Sequence, residues 1–397
     1  MIKTSNIRDF LLLLIAIYSA QGGLYSRGSI ISQTSLLLLL LISGVYFFKT
    51  LLQRNNKNLF YKAATVFVIM NIIGAVFLGD ITDSYHFGQL KNTLLVYLPF
   101  YPFYYFAQKG ILDEKFLRRF FIVILFFAIM VFLRSNIEMQ ISRNAEDVYF
   151  VNNAACIFVF ILPFVFLFRH KKVLSLILLS VLLVFVIAGS KRGAVISAIV
   201  GSLIYVYFLL KSIGENKKYL LRSYLLTFIG ITVFLIFIYQ YFQSNELLIS
   251  RLSSMAEGDS SGRDVIYYRL FNTWLNSNNL INILFGFGYT SSIQSSGGLF
   301  AHNDWLELLT SFGLTGVVVY IVMFYAAIKF AINKKIRIDK RIMMMALVSI
   351  WFITSAVSMN YAAPEGVFQT ILLAHLFGTK EHYIFYQKQF SNENTFI

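Results

Sequence analysis

The feature that most constrains this chain is the recurrence of apolar runs of nearly twenty residues, each bounded by charge. They fall near positions 10–25, 34–52, 60–79, 91–108, 118–134, 150–168, 173–189, 194–211, 221–242, 313–332, 342–359 and 365–379. A helix needs about 20 predominantly apolar residues to cross the hydrocarbon of a bilayer. In lipid every backbone N–H and C=O must be satisfied internally, so helices are the natural form for such runs. Composition agrees. With 58% hydrophobic, 17% aromatic and 13% charged residues, the chain carries more apolar surface than a soluble fold of this size can bury. The reading is an all-α integral membrane protein of about twelve transmembrane helices. The first run, Phe10 to Tyr25, has no small-residue cleavage pattern and reads as the first span. Pro99 and Pro102 are expected to kink the run at 91–108.

Charge gives an independent reading of orientation. With the N-terminus cytoplasmic and strict alternation, the inside segments are Lys3 with Arg8, the 49–62, 109–119, 211–222 and 329–341 loops, Arg169 to Lys172, and the C-terminal tail. They hold 25 basic and 7 acidic residues, against 9 basic and 12 acidic outside. Shifting the register by one span would invert that asymmetry, which is the one the positive-inside rule requires. Both termini are therefore expected in the cytoplasm. The basic balance comes from scattered anchors and no folded basic module, so nucleic acid is not expected as a partner. The single cysteine, Cys156, excludes an intramolecular disulfide and reads as a small apolar core residue.

The organisation expected is nine spans over 1–242, a folded extracytoplasmic cap over 243–301, three spans over 302–379 and a cytoplasmic tail over 380–397. The cap interval is polar and rich in Ser, Asn and Gly, yet it retains Ile266, Tyr267, Leu270, Trp274 and Leu275, enough to pack a short helix. Long loops in compact proteins are commonly functional.

Three basic or titratable motifs fall on the outward side. In Ser190-Lys191-Arg192-Gly193, two adjacent cations sit on a tight turn between spans, an arrangement suited to a diphosphate or other anion. Snorkelling at a span end is the plainer alternative. In Gly262-Arg263-Asp264, Arg263 is either a second phosphate clamp or a surface partner of Asp264. In His302-Asn303-Asp304-Trp305-Leu306-Glu307, Asn303 can cap a helix whose first turn holds Asp304, with Leu306, Leu309 and Phe312 at helical spacing. His302 then stands just outside that helix, as a hydrogen-bonding or catalytic residue. Only His86 and His302 of the five histidines face outward, and neither HExxH nor a P-loop occurs. Neither a metal nor a cofactor is expected. The glycines of Gly286-Phe287-Gly288-Tyr289 read as a turn, and the pairs Asp80/Asp83 and Glu146/Asp147 as solvated.

Taken together, SKRGA, SGRDVIYYRLFNTW, NILFGFGY and HNDWLELLTSFGLTG resemble the O-antigen ligase and polymerase superfamily in order, spacing and the long outward loop. The resemblance spans roughly Gly189 to Tyr325. It implies a metal-independent membrane glycosyltransferase, GT-C-like in fold, in the bacterial inner membrane. Its donor would be an undecaprenyl-diphosphate-linked oligosaccharide, its acceptor a glycan or lipid-linked glycan on the periplasmic or extracellular face, with a chain-length regulator as a further partner. It implies catalytic roles for His302, Arg192 and Arg263, and substrate contacts for Lys191, Ser190, Asn303, Glu307 and Arg269. Lys191 stands where many ligases carry another residue. That departure leaves the subtype open between polymerase and ligase; the aromatic-rich, poorly patterned N-terminal half favours repeat-unit polymerisation over ligation to lipid A core or another acceptor. A flippase or transporter would place ionisable residues near the bilayer midplane, where these spans are nearly uncharged.

Overall fold

The computed structural model describes residues 3–53, 58–80, 82–142, 151–213, 220–258 and 262–393. Arg54, Lys57, Glu146, Asp147, Lys217 and Lys218, which entered the charge reading, lie outside them. The described chain is helical: α1 (Thr4–Ser19), α2 (Ile30–Leu52), α3 (Leu59–Ile73), α4 (Ser84–Tyr97), α5 (Phe100–Gln108), α6 (Glu114–Ser142), α7 (Ala155–Ile161), α8 (Lys172–Ala188), α9 (Arg192–Ile213), α10 (Leu220–Gln243), α11 (Glu246–Ala256), α12 (Arg263–Leu275), α13 (Leu280–Phe285), α14 (Ser291–Ser296), α15 (Asp304–Ile332), α16 (Ile338–Val357) and α17 (Gly366–Glu393). Among the described residues, β structure amounts to one isolated bridge, Gln21 to Tyr25.

Six of these helices are long and apolar enough to cross a membrane, or seven if the pair Phe228–Gln243 and Glu246–Ala256, bent by 85°, counts as one span. They establish a multi-pass helical character. The remaining apolar runs are also helical but shorter or broken. The run at 91–108 divides at Pro99 into α4 and α5, because a proline lacks the N–H that would continue the ladder. The run at 150–168 passes from α7 into a 3₁₀ segment, Leu162–Phe168, as Pro163 enters its first turn. The first run is helical only to Ser19, and the stretch assigned as tail continues α17 to Glu393.

The polar 243–301 interval folds into four short helices, α11 to α14. It is anchored on α15 by backbone contact. Gly286 and Gly313 both have positive φ, 80° and 61°, and α15 kinks at Gly313. A Cβ on Gly313 would lie 2.5 Å from the Leu284 carbonyl carbon, and one on Gly286 2.5 Å from the Phe312 nitrogen. No side chain fits there, and the conformation suits glycine. The Phe287 N–H donates to the Thr310 carbonyl at 2.8 Å across the same contact.

A buried polar chain ties α15, α16 and the turn after α16. Trp351 Nε1 donates to the Tyr320 hydroxyl at 2.7 Å, and that hydroxyl donates to Asp304 Oδ2 at 2.8 Å. Asp304 also accepts the N–H groups of Asn360 and Tyr361, at 3.0 and 3.2 Å. A carboxylate so placed fixes the 358–365 turn, because its buried acceptors need those donors. Around this chain Trp305, Phe324 and Trp351 stack, with Phe324 and Trp351 centroids 3.9 Å apart.

The two ends of the bundle differ in content. At one end Arg169 pairs with Glu114 at 2.8 Å and Asp339 at 3.2 Å, and Arg337 with Asp339 at 2.8 Å. Arg8 reaches the Ile111 carbonyl there. These are segments assigned to the inside by charge. At the other end meet the turn at 189–193, the α11–α14 interval and the 358–365 turn.

Candidate functional site

That second end holds a cleft of about 790 Å³, bordered by Lys191, Arg192, Arg251, Arg263, Asp264, Tyr267, His302 and Glu365, with Cys156, Val357 and Met359 among its apolar lining.

The turn that presents Lys191 and Arg192 is built by Ser190, whose φ is 51°. A non-glycine residue in the left-handed region costs about 1–2 kcal/mol, so surrounding contacts must hold it. Asn245 does so: Ser190 Oγ donates to its Oδ1 at 3.2 Å, while its Nδ2 donates to the Ile187 carbonyl at 2.9 Å. The same Oδ1 accepts the Leu248 N–H at 3.0 Å and so caps α11. Arg192, the first residue of α9, then donates from Nη1 to the Arg251 carbonyl on α11 at 3.2 Å. Gly193 lets α9 approach α16, since a Cβ there would stand 2.9 Å from Val357 Cγ2.

The C-terminus of α16 organises the other two motifs. Carbonyls in the last turn of a helix lack intrahelical partners and sit at its negative end, where cations are favoured. Arg263 Nη1 donates to the Val357 carbonyl at 2.6 Å, and Asn303 Nδ2 to the Ala356 carbonyl at 3.0 Å. Asn303 also caps α15, accepting from the N–H groups of Trp305 and Leu306 at 3.0 and 3.2 Å. His302, immediately before that cap, has φ of 50° and is exposed to the cleft. Desolvation by the surrounding protein, then the charges of Arg263 and Lys191, hold its imidazole below the ordinary histidine range. Glu365 is half-buried at the wall of the same cleft.

Of the eight residues assigned from the sequence, four border the cleft together: Lys191, Arg192, Arg263 and His302. The other four lie outside the lining and hold it. Ser190 shapes the turn and Asn303 joins α15 to α16, as above. Arg269 donates to the Ser296 carbonyl at 3.2 Å and closes α12 on α14. Glu307 is buried, accepting the Ala301 N–H at 2.8 Å and the Ser292 hydroxyl. Cys156, read as core, is half-buried at the cleft wall. Asp83 caps α4 by accepting from the Tyr85 N–H at 2.6 Å, and Asp80 accepts the Thr82 N–H at 2.9 Å, so both serve local turns.

Arg251, Tyr267 and Glu365 were not singled out by sequence. Arg251 is one of the nine basic residues, and Glu365 one of the twelve acids, assigned outward by the charge reading, which was the signal available. Together the cleft gathers four basic and two acidic side chains among the described residues. The first turns of α9 and α12 also start there, adding the partial positive charge of helix N-termini. Such a site suits a multiply charged anion, with a titratable imidazole and a carboxylate facing the same space.

A second groove of about 740 Å³ lies between α8 and α10 and is almost wholly apolar, bordered by residues such as Leu176, Val181, Phe185 and Phe234. Phe185 stands little more than one helical turn before Ser190. No protein-family model matches the chain, and no match is found among curated proteins.

Proposed function

We propose that this chain is a membrane glycosyltransferase that takes a glycan from an undecaprenyl-diphosphate carrier and joins it to a hydroxyl acceptor, as a repeat-unit polymerase. The observation that carries this reading is the cleft itself: Lys191 with Arg192, Arg263 and His302, from three separate motifs, border one space.

The acceptor oxygen attacks the anomeric carbon of the donor sugar, and the carbon–oxygen bond to the diphosphate breaks. The bonding electrons leave with the diphosphate, whose growing charge is met by the guanidinium groups of Arg192 and Arg263 and by Lys191. Fixed donors aimed at developing charge favour the transition state over the ground state. The acceptor proton passes to His302, which desolvation and then its cationic neighbours favour in the neutral form able to accept it. Glu365 offers an acceptor for a further glycan hydroxyl. The apolar groove beside α8 has room for carrier hydrocarbon. In this reading twelve helices cross the bacterial inner membrane, the termini are cytoplasmic and the cleft opens to the periplasmic or extracellular face.

Ligation of a finished glycan to lipid A core or another acceptor uses the same chemistry and is separated by one experiment. In a deletion strain of the native host, polysaccharide profile and lipid-linked glycans are measured together. Single repeats on the acceptor, with long chains missing, are the expected result. Long chains stranded on the carrier would make the chain a ligase, and an unchanged profile would overturn both readings in favour of transport.

A further inference from the structure

The end of the bundle opposite the cleft carries a second charged concavity that the transfer chemistry does not use. It is a pocket of about 340 Å³ between the start of α6 and the turn leading into α8. Lys115, Arg118 and Arg119 project into it from α6, and His170 and Lys171 from the turn. Ile122 and Phe168 close it with apolar surface. Residues 115, 118, 119 and 122 follow the three-and-four spacing that puts side chains on one helix face. The stripe therefore begins basic and becomes apolar within two turns.

The nearby carboxylates are engaged elsewhere. Glu114 pairs with Arg169 at 2.8 Å, and Asp113 accepts the Phe116 N–H at 2.7 Å. Among the described residues no ion pair joins a carboxylate to any of the five basic groups of the pocket. Arg118 is held in place by donating to the Leu167 carbonyl at 3.2 Å. So much like charge at one concavity needs an anion to offset its self-repulsion.

We propose that this pocket binds the phosphate of an anionic phospholipid headgroup. Lipid is favoured over a soluble phosphate by what lies alongside. Immediately past the basic groups, Ile122 and Phe126 on α6 are 45% and 57% exposed. A diacyl tail would lie along that surface while its phosphate sits among the basic groups. Basic pockets between transmembrane helices on the cytoplasmic side are suited to such headgroups.

The test uses the purified full chain in neutral detergent, with short-chain phosphatidylglycerol, short-chain phosphatidylcholine and inorganic phosphate as separate probes of thermal unfolding. Phosphatidylglycerol is expected to raise the unfolding temperature saturably, while the other two leave it unchanged. In Arg119→Gln with Lys171→Gln, both on exposed side chains, affinity should fall about fivefold for each charge removed. Arg118→Gln is a second variant, and the same loss is expected there. Equal effects of the two lipids would reduce the pocket to ordinary annular contact and overturn the proposal. Inorganic phosphate acting as well as lipid would make it a soluble-anion site. Lys334→Gln with Lys335→Gln, on the exposed turn between α15 and α16, is the control; an equal loss there would show diffuse surface charge and no site.

Discussion

Arginines at the two ends of the bundle are held by different partners, and the difference separates a charge kept for use from a charge spent on structure. At the cleft, Arg263 donates to the carbonyl of Val357. A carbonyl orients a guanidinium without cancelling its charge. At the opposite end, Arg169 lies between Glu114 and Asp339, and Arg337 shares Asp339. There the charge is neutralised, and its role is to join the α6, α8 and α16 ends. Two acids near the cleft are set aside in another way, while Asp264 and Glu365 stay in its lining. Asp304 and Glu307, close in sequence to His302, are turned inward onto N–H and hydroxyl donors and leave the cleft positive.

The largest test of this contrast is His302→Ala. If His302 takes the acceptor proton, glycan transfer in membranes should fall by about 10²-fold or more, with the protein still inserted and folded. Full transfer by this variant would remove the base assignment.

A paired test makes one chemical change at both ends. Arg192→Lys keeps the charge but loses the planar fork, and transfer should fall about tenfold with little change in unfolding temperature. Arg169→Lys should do the reverse: unchanged transfer, and an unfolding temperature lowered by a few degrees, corresponding to about 1–2 kcal/mol from a weakened two-carboxylate contact. Wild-type transfer by Arg192→Lys would make the fork unimportant and erase the distinction.

The smallest effect expected concerns pH. His302 is active as a base only when neutral, so transfer should decline as pH falls through its folded pKa, which lies below the ordinary value. Cationic neighbours disfavour its protonated form. Lys191→Gln removes one of them and should move the acid limb of the transfer profile to higher pH. A limb that stays put or moves down would mean that His302 does not set it.

Much of the site was legible because three motifs combined unusual residues with a position assigned outward by the charge reading. Lys191, Arg192 and His302 stand out in a mostly apolar chain, and Arg263 in the polar interval beside them. The supporting roles were not legible. The resemblance implies a substrate contact for Glu307, yet its side chain lies on the inner face of α15, against Ser292 and the Ala301 N–H. Arg269 follows Arg263 within two turns of α12, yet it closes the cap on itself. Neighbours in sequence on a helix point to different faces, so closeness along the chain does not decide which of them shares a space.

By itself the sequence determined that the chain is a multi-pass helical membrane protein, because lipid tolerates little else and hydropathy reports it directly. Which segments carry the basic residues is likewise read from the sequence, since charge is read residue by residue. Only the tertiary structure decided that Arg251, Tyr267 and Glu365 face the same cleft as His302, and that the carbonyls of Ala356 and Val357 seat Asn303 and Arg263. Such contacts join segments far apart in the chain through a close approach at Gly193 and Gly313. Local pattern carries no record of which distant surface a glycine has been kept small to meet.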